Sequence, residues 1–374
     1  MIKARWGIFS IYDENGAIHQ YIYYYLDNIR KCFDRLIIVC NGRLDEEAGN
    51  HLRKYTNEII VRENIGGDAG AYQHIILNYL DAAELANIDE LVLLNDTMFG
   101  PFVDMQTVFH KMENEKYHFW GITQNDNICL PSHIQSYFIG MKKEMLSNEC
   151  FLEFWKALDV RTNNIKIVVC NFEIGLTSYF QESGFTWGTL AGETKEFLYA
   201  NPYFFLKEKQ VPFIKRKSFG AYGITQSELE KVIWFIQNNT RYPLEYICED
   251  VKLKYSRNVF NGYALSDKNI TEDIHHLPQL SLKEVLTLLE PYKKVFVYGL
   301  TIYGISLAKC VKNREVEFVV SNEYYNERFV NGIKVSRFSE IQEDRQSCMV
   351  VALSAHMCEE MRQRLKWNNV IYYC

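Results

Sequence analysis

Three stretches of the chain place acid and amide side chains where chemistry is done. In "LVLLNDTMFGP" an apolar run stops abruptly at Asn95, Asp96 and Thr97. Polar groups at the end of a buried strand are held rigidly. One carboxylate there can take a hard divalent cation, Mg2+ or Mn2+, that bridges a diphosphate. An Asx turn closing the strand is the structural alternative. In "RENIGGDAGAYQ" (62–73) a glycine-rich turn joins the strand-like "EIIV" to the helical "HIILNYL". Gly66, Gly67 and Gly70 permit tight turns and close approach of a ligand. Asp68 stands at the helix start, where it either caps free N–H groups or accepts hydrogen bonds from a base, ribose or sugar hydroxyl. A carboxylate would repel phosphate, which argues against a Walker-type cradle. Glu173, in "FEIGLTSYFQESGF", falls at the start of a helix expected over 171–185. The helix dipole is a sufficient structural reason for it, and the place also suits a general base.

These residues sit between alternating strands and helices. Strands are expected at 5–12, 35–41, 57–61 and 90–96, with helices at 17–33, 44–55 and about 70–84 between them. Ile18, Ile22, Tyr25, Leu26, Ile29 and Phe33 follow helical spacing in the first helix. This β-α-β-α-β-α-β order predicts a mostly parallel sheet covered on both faces. Ligands of such sheets lie beyond the carboxyl ends of the strands. Both the glycine turn and Asn95–Thr97 fall there. Further on, strands are expected at 118–123 and 135–141, and helices at 148–158 and 225–240. The polar stretch 255–280, with "DIHHLPQL", reads as a linker.

After the linker a second α/β unit begins. "VYGLTIYGISLA" resembles a dinucleotide fingerprint, with Gly299 and Gly304 in the outer places and Glu317 at the distance of the ribose-binding acid. Thr301 fills the middle place, where a β-carbon obstructs the approach of a pyrophosphate. A Rossmann-like accessory domain is the plainer reading, and an NAD-dependent enzyme its rival.

The bulk properties exclude several classes. A net charge of −6 leaves no electrostatic footprint for nucleic acid. The beginning of the chain lacks the apolar core of a signal peptide, and no apolar run reaches the length of a membrane span. The ten cysteines form no C-x-x-C pair, so they read as reduced thiols of a cytoplasmic protein, with Cys40, Cys170, Cys310 and Cys348 mostly buried. Twenty-five tyrosines suit sugar surfaces but equally ordinary cores.

Taken in order, "ENIGGDAGAYQ", "ELVLLNDTMFGPF", "FWGIT", "HIQSYFIGMKKEML", "FEIGLTSYFQESGF" and "VPFIKRKSF" resemble the rhamnan synthesis protein F family over residues 5–220. The family pattern has Tyr, Phe and Trp where this chain has Gly67, Ala69 and Tyr72, a change that could alter which sugar or base stacks beside the glycines. The resemblance implies a GT-A-like (Rossmann-type, nucleotide-sugar-binding) α/β domain over 1–222. It stops near residue 220, and the helical extension and linker over 223–280 and the small Rossmann-like α/β domain over 281–374 are readings of the residues themselves. The resemblance implies an inverting glycosyltransferase of surface-polysaccharide assembly, with a nucleotide-sugar donor such as dTDP-L-rhamnose. The acceptor would be a lipid-linked or polysaccharide hydroxyl at the cytoplasmic face of the membrane. Glu173 would be the base. Asp96 would hold Mg2+ or Mn2+, with Asn95 where the first acid of an Asp-x-Asp motif stands. Asn64, Gly66, Gly67, Asp68 and Gly70 would shape the donor turn. Tyr12 and Asp13 fall where such folds bind the nucleobase, and Asp13 is equally a turn residue. Lys215 and Arg216 would face the diphosphate, although "KRK" (215–217) also suits a solvated run or a contact to acidic lipid heads. His133 and Gln135 would bind the acceptor; the alternative for the histidine is a hydrogen-bonded structural role. A non-catalytic glycan-binding protein is the remaining alternative.

Overall fold

The computed structural model describes residues 4–162, 164–220, 224–255 and 280–373. The expected linker at 255–280 lies almost wholly outside them. The described residues group into two compact units. The first takes those within 1–125, 133–163 and 176–267; the second takes those within 126–132, 164–175 and 268–374.

The first unit opens with β1 (Arg5–Asp13), α1 (Gln20–Ile29), β2 (Arg35–Gly42), α2 (Glu46–Leu52), β3 (Ile59–Arg62), α3 (Gly67–Asn78), α4 (Ala82–Asn87) and β4 (Glu90–Asn95). The single helix expected over 70–84 is two, because Asp81 and Glu84 form a capping box that starts α4. Short elements follow: β5 (Met98–Phe99), α5 (Met105–Glu113), β6 (Phe119–Gly121), β7 (Gln124–Asn125), β8 (His133–Ile134), β9 (Phe138–Lys142), α6 (Lys143–Leu146) and α7 (Glu149–Ala157). A helical run follows, of which α8 (Ile165–Val168) and a π-turn (Val169–Ile174) belong to the second unit, and α9 (Gly175–Glu182) returns to the first at Leu176. The remaining elements are β10 (Trp187–Thr189), α10 (Pro202–Lys207), β11 (Ile214–Lys215), α11 (Gln226–Asn239) and α12 (Leu244–Tyr255).

The main sheet has the order β10-β6-β9-β4-β1-β2-β3. β1, β2, β3 and β4 are mutually parallel, and β9 runs antiparallel between β4 and β6. Every residue of β4 is buried, as befits a central strand covered on both faces. The order reverses between β1 and β4, so their carboxyl ends flank the switch point where open α/β sheets bind ligands. The helices expected as an extension belong to this unit's own core: Val232 and Ile236 of α11 and Ile247 and Val251 of α12 pack in one cluster with Tyr21, Tyr25 and Phe99.

The second unit contains α13 (Leu282–Leu288), β12 (Lys294–Tyr298), α14 (Ile302–Cys310), β13 (Glu315–Val320), β14 (Phe329–Val330), β15 (Ile333–Arg337), β16 (Ser347–Val351), α15 (Ala355–Arg364) and β17 (Val370–Tyr372). Its sheet order is β14-β15-β13-β12-β16-β17, parallel except for β14. Alternate residues feed two cores: Val295, Val297 and Val350 on one face, and Phe296, Met349 and Val351 on the other. Cys129, Ile167, Cys170 and Ile174 join the first of these cores, which is why two short segments from earlier in the chain belong to this unit.

At the amino end of the first unit's sheet, Glu90 is 1% exposed. Its carboxylate accepts from Arg5 Nε at 2.5 Å and from Trp120 Nε1 at 2.7 Å. Burial raises the Glu90 carboxyl, and Arg5 offsets that effect. Glu90→Ala would leave the buried Trp120 N–H without its acceptor and Arg5 with Glu113 as its remaining ion-pair partner. It is expected to cost about 3–5 kcal/mol, read as a lower urea midpoint.

Candidate active site

The carboxyl ends of β1, β2 and β4 carry a hydrogen-bonded cluster closed by the start of α3. Asp68 Oδ1 accepts from Ser10 Oγ, and Asp68 Oδ2 from Asn95 Nδ2, both at 2.8 Å. Asn41 Nδ2 reaches Ser10 Oγ at 3.1 Å, and Arg62 donates to Asn41 Oδ1 and to the Ile65 carbonyl. The capping role considered for Asp68 is therefore not the one observed. Gly66 is the N-cap, no side chain caps α3, and the Asp68 carboxylate spans β1 and β4 instead. Asn95 does close an Asx turn: its Oδ1 accepts from Thr97 N at 3.2 Å and from Thr97 Oγ1 at 2.6 Å.

Asp96 is 5% exposed. Its Oδ2 accepts from the Tyr12 backbone N–H at 3.2 Å. Its main-chain carbonyl accepts from the Tyr21 hydroxyl at 2.9 Å and from Arg216 Nη1 at 3.4 Å. Arg216 is not a surface cation. It is buried, stacks over the Tyr21 ring and grips Asp250 of α12 with two bonds, at 3.0 and 2.7 Å. Lys215 is buried too, with Nζ 4.4 Å from the Tyr137 ring centre and 5.7 Å from that of Tyr199. The solvated-run reading of 215–217 thus holds only for exposed Lys217. Pairing of β11 with β5, Lys215 against Met98, draws the two basic residues inward beside the Asp96 turn.

Burial, and after it the charge of Asp96, raises the Asp68 carboxyl to about 6. Burial raises Asp96 as well, while Arg216 pulls it back. Two carboxylates that repel each other at the ends of parallel strands suit a cation. Among the described residues no group of three His, Cys, Asp or Glu forms a metal cage. The residues present fit only an ion held by one or two carboxylates and completed by phosphates and water, as Mg2+ commonly is.

The three glycines divide by role. A β-carbon on Gly66 would meet the Val160 carbonyl at 2.3 Å, and one on Gly70 the Ile65 carbonyl at 2.1 Å. Both are required by the chain's own packing. Gly67, at φ +54°, has nothing within 4 Å of that position and faces open space. Ala69 and Tyr72 are buried, and the Tyr72 hydroxyl donates to the Leu94 carbonyl at 2.7 Å. Of the three departures from the family pattern, only Gly67 is placed to change what stacks in the site; Ala69 and Tyr72 are core. Asn64 is half-buried ahead of this turn.

The other expected residues have these places. Tyr12 is 48% exposed at the end of β1. Asp13 closes a turn, accepting from Asn15 N at 2.9 Å, Ala17 N at 3.1 Å and His19 Nε2 at 3.3 Å. His133 is buried where β8 pairs with β7. Gln135 is buried and accepts from Thr123 Oγ1 at 2.7 Å; the same hydroxyl meets Tyr137 OH at 2.8 Å. Glu173 departs from its expected setting. The helical run begins at Ile165, so Glu173 lies within the π-turn, half-buried, and no helix N-terminus accounts for it. It groups with the second unit, three residues before the chain rejoins the first at Leu176. Sequence reasoning missed Ser10, Asn41, Arg62, Tyr21, Tyr137 and Asp250. Only the strand-end position of Ser10 and Asn41 carried any signal.

In the second unit, Thr301 Oγ1 caps α14 by accepting from Gly304 N at 3.1 Å and donates to the Ala352 carbonyl at 2.7 Å. Glu317 lies toward the amino end of β13, paired with Lys294 at 3.0 Å and Lys334 at 2.9 Å. Burial works against its ionisation, but bonds from Ser336, Lys334 and Lys294 prevail and bring it to about 2. A ribose-binding acid belongs at a carboxyl end, so Glu317 does not serve a dinucleotide fingerprint.

The family model of rhamnan synthesis protein F matches residues 36–292, more than half of the chain. The chain belongs to that family. The match runs past the motifs at 5–220 to include α11, α12 and α13. Among curated relatives, the chain is 28% identical over 188 residues to Uncharacterized protein y4gN of Sinorhizobium fredii, covering 49% of this chain and 48% of that protein. It is 31% identical over 138 residues to Virulence protein VirA of Vibrio anguillarum, covering 36% and 42%. The chain thus spans about half the length, or less, of these relatives. A solved structure with some likeness is glucosyl-3-phosphoglycerate synthase from Mycobacterium tuberculosis in complex with Mg2+ and uridine-diphosphate. Its TM-score is 0.27 and its identity 10%, over 38% of this chain and 57% of that one.

Two expectations follow from this geometry. Gly70→Ala should destabilise the fold by about 3 kcal/mol, because its β-carbon meets backbone, while Gly67→Ala should cost only about 1 kcal/mol of conformational strain; thermal melts separate the two. Asp68 should shape the pH dependence of stability. Its folded value of about 6 lies above the ordinary 3.8, so the folded chain binds a proton between those pH values that the unfolded chain does not. Stability should therefore rise as pH falls from 7 to 4.5. Asp68→Asn should flatten that rise by about 1–3 kcal/mol in urea titrations at the two pH values.

Proposed function

We propose that this protein is a nucleotide-sugar glycosyltransferase whose donor lies beyond the carboxyl ends of β1 and β4. The observation that supports it most is the Ser10–Asp68–Asn95 cluster beside the braced Asp96 turn, at the switch point of a sheet in a rhamnan synthesis protein F family member. Asp68, its bonds to Ser10 and Asn95 fixing its direction, accepts from donor hydroxyls at the open space before Gly67. Tyr12 offers an exposed ring to the base. Lys215, seated between Tyr137 and Tyr199, stabilises charge growing on the departing diphosphate. Arg216 serves differently from Lys215: its donors are engaged by Asp250 and the Asp96 carbonyl, so it braces the turn rather than binding phosphate. A divalent ion on Asp96, Mg2+ or Mn2+, would add Lewis-acid stabilisation of the same diphosphate.

The reaction proposed is a single displacement with inversion. An acceptor hydroxyl oxygen bonds to the anomeric carbon as the bond from that carbon to the diphosphate oxygen breaks. The hydroxyl proton passes to a general base, and the nucleoside diphosphate leaves. A deoxysugar, L-rhamnose from dTDP-L-rhamnose, is the donor that the family resemblance favours. The acceptor is then a hydroxyl of a lipid-linked or growing polysaccharide. Among the described residues no helix is long and apolar enough to cross a membrane, so an acceptor on lipid would be met at the membrane surface.

A screen of nucleotide sugars by thermal shift and donor hydrolysis, with and without Mg2+ or Mn2+, tests this reading. One donor should raise the melting temperature through mass action and be hydrolysed. Asp96→Ala should abolish the metal-dependent part. No shift and no turnover with any donor would refute the enzyme and favour a non-catalytic glycan-binding protein.

A further inference from the structure

Two of the charged side chains of α12, Asp250 and Lys254, stand about one helical turn apart. Asp250 is 2% exposed and holds the buried Arg216 with two bonds. Arg216 in turn donates to the Asp96 carbonyl. This chain of contacts turns one face of α12 toward the Asp96 turn. Residues four apart on a helix share a face, so Lys254 stands on the face that Asp250 defines. Its ammonium lies within electrostatic reach of Arg216, Asp250, Asp96 and Lys217.

Unlike Asp250 and Arg216, Lys254 is exposed, and among the described residues its side chain is engaged in no hydrogen bond or ion pair. We propose that Lys254 binds the diphosphate of the nucleotide donor, so that α12 is a working part of the donor site. The inference rests on the donor-site reading above. The chemistry is that of a mobile point charge at a rim: an ammonium beside a guanidinium gains most from an arriving polyanion.

Lys252 and Lys254 both lie in the last turn of α12, where cations complement the helix dipole. That purely structural role would treat the two alike. Lys252 is two residues from Asp250, roughly 200° around the helix, and points away from the Asp96 turn.

The test is calorimetric titration of the full chain with UDP, dTDP and GDP in the presence of Mg2+, at two salt concentrations. Lys254→Met should weaken the diphosphate that binds by roughly tenfold and flatten its salt dependence, with an unchanged melting temperature. Lys252→Met should stay within about twofold of the parent. The proposal falls if Lys254→Met binds as tightly as the parent, or if Lys252→Met loses as much. A parent chain that binds none of the three diphosphates would instead overturn the donor reading, and this inference with it.

Discussion

The site depends on one carboxylate, that of Asp68. It is bonded at once to Ser10 on β1 and to Asn95 on β4, across the point where the strand order reverses. A parallel sheet splays at such a point, because the crossovers on its two sides leave in opposite directions. Asp68 ties the entry of α3 across that gap. The glycines around it follow from the same constraint. Gly66 lets the chain turn in against Val160, and Gly70 lets α3 pass the Ile65 carbonyl closely. Only then does the helix start put its carboxylate between the two strands. What looks like a ligand-binding glycine motif is therefore first a packing solution, with one glycine, Gly67, left facing outward.

The Asp96 turn is braced by different means. Its carbonyl is held by Tyr21 from α1 and Arg216 from the segment after β11, and Arg216 is itself anchored by Asp250 of α12. Two elements far apart in sequence thus converge on a single backbone oxygen, and a third anchors one of them. A buried ion pair of this type contributes little net stability compared with apolar packing, but breaking it is costly. Its effect is to fix direction. Arg216, anchored by Asp250, offsets part of the burial cost of the Asp96 carboxylate, whose Oδ2 accepts from the Tyr12 backbone N–H.

The succession of strands and helices in the first half of the chain was legible, because apolar runs and turn residues report local burial. β4 is the clearest example: its uninterrupted apolar sequence could only be a covered strand. The start of the helix bearing Glu173 was misread for the same local reason. "IVVC" is apolar enough for a strand, and nothing in it signals that the helical run has begun at Ile165. Arg216 and Asp250 were illegible as a pair. They are 34 residues apart, each is polar, and only the packing of α12 against α1 brings burial upon both. Polar residues that become buried through tertiary contacts leave no periodic trace.

That last class of residue has a physical consequence for function. Asp68 and Asp96 carry charge in a place where burial and mutual repulsion both disfavour it. The fold retains this cost because the strand ends and the α3 turn overdetermine where the carboxylates stand. Any ligand that brings positive charge, or hydroxyl donors, to the cluster lowers the energy of both groups together. A ligand bearing only negative charge does so only if Lys215 or an accompanying cation outweighs the two acids. The cluster thus discriminates in favour of a molecule that presents hydroxyls to Asp68 and a neutralised diphosphate to Asp96. On the proposed reading, a nucleotide sugar with a cation on its diphosphate would bring both.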